Sequence, residues 1–167
     1  MESTIYQVLA PVASSTDKQA MALLFENIAA RLNSAATATA GLVINGASNA
    51  AARTGGTIFY ATVGGRHVAI AASTVMPALT GLSIAANTFN IACFFINAAG
   101  TVNVRFGRQG ATAAAVLFPD FPLNQALVGY LLITHSAAFT GGTTALDTAT
   151  TIYVSPVGAF DPTLYVN

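Results

Sequence analysis

The sequence predicts a mainly β chain: an antiparallel β-sandwich or barrel, jelly-roll-like, with one N-terminal amphipathic helix. Three observations lead there. Apolar residues recur at helical spacing in one stretch only, short β-branched and aromatic runs fill most of the remainder, and Gly, Asn and Pro turns separate those runs. A chain of 167 residues holds one ordinary core. It divides into an arm and helix over 1–34 and a β-rich domain over 35–167.

The arm comes first. Residues 1–14 carry Ile5, Tyr6, Val8 and Leu9, then Pro11, and read as an extended arm ordered by contact with a neighbouring subunit or the shell, the alternative being an edge strand of the same domain. Met21, Leu24, Phe25, Ile28 and Leu32 follow at spacings of three and four, which places them on one stripe of a helix expected over 17–33. Thr16 with Gln19 fits a capping box, and Asp17 suits the positive end of the helix. Two roles are open for the stripe: covering a sheet face of the same chain, or packing against a second copy. Residues 34–56 are low in complexity, with one short strand at 42–44.

Strand signals dominate from Thr57 onward. Runs at 58–63 and 68–72 flank Gly64-Gly65, a dipeptide that accepts the positive φ angles of a tight hairpin, with Arg66 and His67 at the turn. A second hairpin follows. In its first strand Phe89, Ile91, Cys93 and Phe95 share one face and Phe94 and Ile96 the other, so this strand should be central and covered on both sides. Ala98-Ala99-Gly100 turns the chain into 101–106, where Val102, Val104 and Phe106 alternate with Thr101, Asn103 and Arg105. Phe118-Pro119-Asp120-Phe121-Pro122 reads as a turn whose prolines donate to no ladder. Leu127 to Thr134 is a further buried strand, 140–150 a polar loop, and Thr151 to Val154 a last strand.

Composition narrows the function. Hydrophobic residues are 54% of the chain and charged residues 7%, against roughly 25% in an average soluble domain. Six basic side chains balance six acidic ones. Such a surface suits permanent burial in an assembly, since neutral polar groups cost less to bury than ions. Nucleic acid is not an expected partner, because phosphate binding needs clustered Lys and Arg, and here only Arg105 and Arg108 are close together. A membrane span is not expected either: the uncharged stretch between Arg66 and Arg105 is broken by Pro77, Gly81, Asn87, Asn90 and Asn97. The N-terminus shows no signal-peptide pattern, so synthesis in a cytoplasm is expected.

No constellation of reactive residues stands out, so the chain is not expected to be an enzyme or to hold a cofactor or metal. His67 and His135 are far apart in sequence, and no Cys-x-x-Cys, His-x-x-x-His or phosphate-binding loop occurs. His135, Ser136 and Asp147 compose a triad on paper only, because adjacent residues of one strand point to opposite faces. The lone Cys93, among Ile91, Phe94 and Phe95, reads as a core thiol.

The segment Gly141-Gly-Thr-Thr-Ala-Leu-Asp-Thr-Ala-Thr-Thr-Ile-Tyr-Val-Ser-Pro-Val-Gly-Ala-Phe-Asp-Pro162 resembles small virion proteins of tailed bacteriophages, in particular head decoration (cement) proteins and head-fibre bases. The resemblance implies a β-rich protomer, often trimeric, seated on the outside of an icosahedral shell. Its partners would be copies of itself and the major capsid protein or other virion proteins. The candidate interface is Ile5, Tyr6, Val8 and Leu9 of the arm, Met21, Leu24, Phe25 and Ile28 of the helix, and Arg105 and Arg108. The alternative is a tail, baseplate or fibre component binding a host surface; a long fibre would show regular repeats, and none is found.

Overall fold

The computed structural model describes residues 15–160. Helix α1 spans Ser15–Leu32 and is followed in chain order by β1 (Ala35–Ala36), β2 (Val43–Ile44), β3 (Ala52–Arg53), β4 (Phe59–Val63), β5 (Arg66–Ile70), β6 (Ser83–Ile84), β7 (Phe89–Asn97), β8 (Val102–Phe106), β9 (Gln125–Thr134), β10 (Phe139–Thr140) and β11 (Thr150–Val154). The chain is mainly β and every strand pair is antiparallel.

Two sheets form the body. One has the order β1-β4-β5 and the other β11-β9-β7-β8, with the pairs β2-β3 and β10-β6 beside them. The sheets pack as a sandwich because each strand alternates. Phe59, Ala61 and Val63 of β4 and Val68 and Ile70 of β5 are buried against Phe94 and Ile96 of β7 and Leu131 and Ile133 of β9, with Leu79, Ile84 and Phe139 in the same core. The hairpin between β4 and β5 turns at Gly64 and Gly65, whose φ values of 56° and 78° are the left-handed pair such a turn requires.

β7 is interior in its sheet, as its two apolar faces predict. Its other face carries Ile91, Cys93 and Phe95, which pack with Val116, Leu127 and Tyr130 in a second apolar cluster. Phe118, Phe121 and Phe160 cover that cluster from outside: Phe121 meets Phe95 edge-on with ring centres 5.0 Å apart, and Phe118 meets Tyr130 at 5.2 Å. So the 118–122 segment lies outside the ladders and forms a lid on the sheet, while the turn itself falls at Leu123 and Asn124, just past the expected stretch. Gly129 allows a third approach. A Cβ there would lie 2.5 Å from the Val154 carbonyl oxygen at the end of β11 and 2.7 Å from Leu42 Cδ1, so only glycine lets both come this close to β9.

Several local expectations are corrected. The helix starts at Ser15, so Thr16 and Gln19 lie inside it and the capping box falls away. Arg66 and His67 belong to β5, not to the turn, and His67 stacks on Tyr60 across the β4–β5 ladder at 5.2 Å. Residues 34–56 contribute β1, β2 and β3, and the 140–150 loop opens with Thr140 already paired to Ser83. Strands of two residues hold too few alternating positions to show a period.

Candidate interaction surface

The region that stands out is the helix and the ground beside it. Leu23, Leu24, Phe25, Ile28 and Leu32 keep between 42% and 66% of their surface exposed, Met21 is half-buried, and Ala22 alone among the described side chains of α1 is buried. The stripe therefore covers the sheet of its own chain only in part, where Ile28 and Leu32 approach the outer cluster. Its foot is fixed: the Gly65 N–H donates to the Asn33 carbonyl (3.3 Å) and the Gly64 N–H to Ser34 Oγ (3.2 Å), which ties the helix exit to the β4–β5 turn.

A groove of about 340 Å³ opens beside that foot. Ile28 and Leu32 form one wall, and Phe121, Pro122, Leu127 and Phe160 the other. The aromatic lid over the second cluster thus runs into the helix stripe as one apolar area. Phe121, Pro122 and Phe160 lie outside the interface expected from sequence, which reads the first two only as part of a turn. The two closely spaced Phe-Pro steps of 118–122 were the available signal, since prolines bar that segment from a ladder while its phenylalanines still need cover.

Arg105 and Arg108 are both exposed and border a second, open hollow with Phe118, Pro119 and Asp120. They are brought together there, on the side of β8 away from the inner core, and not with the helix stripe. Ile5, Tyr6, Val8 and Leu9 lie outside the described residues.

The residues with chemistry in them are engaged separately. His135 Nδ1 sits 3.0 Å from the Ala137 carbonyl oxygen within its own turn, whereas Asp147 Oδ2 accepts the Ser48 N–H at 2.7 Å. The His and Asp of that set are therefore each bonded elsewhere. Cys93 is fully buried, and burial raises its thiol pKa far above the usual range, which suppresses the reactive thiolate. Burial, and secondarily the nearby Asp147 carboxylate, also raises the Tyr153 phenol. Among the described residues no group of three or more His, Cys, Asp or Glu could hold a metal ion, and no helix is long and apolar enough to cross a membrane.

No family model matches the chain, and neither the curated proteins nor the solved structures contain a match to it.

Proposed function

We propose that this chain is a non-enzymatic structural protein of a virus particle, of the capsid-decoration or cement type, that assembles as a homotrimer and binds the capsid shell. The observation that carries the assembling role is the apolar stripe of α1, left uncovered on a chain that is only 7% charged. Monomers avoid large exposed apolar patches, and with six basic and six acidic side chains copies of this one have no net charge to keep them apart. The resemblance of 141–162 to phage head proteins supports the virion setting.

In this reading the β sandwich is a rigid unit, and attachment falls to the arm, the helix and the Arg105–Arg108 hollow. An antibody against the chain, applied to the source particle and viewed by negative-stain microscopy, tests it. Label on the shell supports decoration, label on the tail or baseplate moves the protein to that part of the virion, and unlabelled particles overturn the proposal. Light scattering tests the assembly separately: a monodisperse 17.0 kDa species at micromolar concentration would contradict it.

A further inference from the structure

The groove at the foot of α1 lies beside the last described residue, Phe160, which is part of its wall. Ile28 and Leu32 line it on the helix side, and no charged residue lines it anywhere. The stretch leading up to Phe160 is held in place: the Gly158 N–H donates to the Ala36 carbonyl at 2.7 Å, and the Phe160 ring stacks on Phe121 with centres 5.8 Å apart. Asp161-Pro-Thr-Leu-Tyr-Val-Asn167 therefore sets out from the groove itself. We infer that residues 163–166 lie extended in this groove of their own chain, with Leu164 and Val166 against the helix wall and Tyr165 against the aromatic wall, and strap the foot of α1 to the sandwich. The inference stands apart from the virion reading, because it leaves Leu24 and Phe25 open for assembly.

Spacing, cover and reach select this occupant. Alternate residues of an extended strand are about 6.6 Å apart, and residues four apart on a helix are about 6 Å apart along its axis. Leu164 and Val166 thus keep step with Leu32 and Ile28. A strand that is apolar on both faces needs cover on both, and the groove offers two apolar walls. Asp161 before Pro162 favours a turn, and Leu164, four residues beyond Phe160, has a reach of at most about 14 Å.

The other occupants are placed worse. The arm joins α1 at Ser15, and Ile28 lies about 20 Å farther along the helix axis. Leu9 spans about that distance only when fully stretched, and Ile5 and Tyr6 would close a longer loop at a higher entropic cost. The same segment from a second copy has the same side chains but no tether. A short tether holds its own segment at an effective concentration on the order of millimolar, about a thousandfold above micromolar neighbours.

The test uses the full chain. It has no tryptophan, so Tyr165→Trp is a single reporter. Its emission should be blue-shifted and shielded from iodide, and should move to the position of a water-exposed indole when Ile28→Glu and Leu32→Glu are added. Both positions are exposed, so the β-sheet circular dichroism should not change. The blue shift should also persist on dilution to single chains of 17.0 kDa. Loss of the shift on dilution would give the groove to a second copy, a shift that survives the two glutamates would place Tyr165 elsewhere, and native emission equal to that in urea would leave the strap unformed; each overturns the inference. Contact is read from Leu164→Cys with Leu32→Cys in a Cys93→Ala background. The strap brings the two within the ~7 Å that a disulfide spans, so mild oxidation should consume both thiols without raising the mass above one chain. Faster linkage of Leu32→Cys to Leu9→Cys than to Leu164→Cys would seat the arm in the groove instead.

Discussion

β7 and α1 are both rich in large apolar residues, and the fold treats them in opposite ways. From Ile91 to Ile96 every residue of β7 is buried, because β8 and β9 flank it and apolar clusters cover both its faces. In α1, by contrast, Leu23, Leu24, Phe25, Ile28 and Leu32 all keep a large share of their surface exposed. An apolar pattern states that a face needs covering. Whether the cover is in the same chain is decided by topology: β7 lies where the sandwich closes, and α1 precedes the whole body and is tied to it at its foot.

The largest difference between the two regions should appear on truncation of a β7 side chain. Phe94 is fully buried in the inner core, so Phe94→Ala removes a ring and leaves a cavity. It is expected to cost about 3–5 kcal/mol, read as a lowered midpoint in urea unfolding with the slope unchanged. A loss below 1 kcal/mol, of the size seen at surface positions, would mean that the sandwich core is not packed as described.

Next in size is a backbone effect that sharpens the same contrast within the body. Gly129→Ala places a methyl group 2.5 Å from the Val154 carbonyl oxygen, and the crossing segment must shift, at a cost of about 1–3 kcal/mol. Gly56 has open space around the same position, so Gly56→Ala should leave the melting temperature close to that of the wild type. Equal melting temperatures for the two variants would mean that Leu42 and the end of β11 do not close on β9 at Gly129.

Legibility followed the same division. The two hairpins were readable because Gly64-Gly65 and Gly100 mark turns and the strands beside them are long enough to alternate. The central place of β7 was readable from its two apolar faces. The two-residue strands β1, β2, β3, β6 and β10 were not, because their pairing is set by partners remote in sequence: Phe139 pairs with Ile84, and Ala36 with Ala61. In the candidate site, the stripe of α1 was legible as a stripe and its exposure was not. The groove was missed for the same reason, as Ile28, Phe121 and Phe160 meet only once the chain is folded.

A third prediction concerns pH and tests how dry the outer cluster is. Burial raises the Cys93 thiol pKa, so the folded state holds its proton where the unfolded chain releases it. The sign follows: this contribution is fully present below the unfolded value of about 8.5 and is lost as pH rises above it, by about 1 kcal/mol over the first pH unit for one proton. The stability of the wild type should therefore fall more steeply than that of Cys93→Ala between about pH 8.5 and 9.5, where a free thiol gives up most of its proton. Parallel curves in urea titrations across that range would show that water reaches the thiol.

The smallest effect is expected in α1, and it is the one that separates covering by a neighbour from covering by the chain itself. Leu24 is 56% exposed in the single protomer, so Leu24→Ala removes little that the protomer buries, and alanine is the better helix former. At concentrations low enough to dissociate any assembly, the variant should unfold within about 0.5 kcal/mol of the wild type. As concentration rises the two should diverge, because association that depends on the stripe stabilises only the wild type by mass action. Melting temperatures measured over a dilution series give both quantities at once. A concentration-independent loss of about 2 kcal/mol, the size of a buried leucine truncation, would place Leu24 in a core of its own chain, and the contrast between α1 and β7 would disappear.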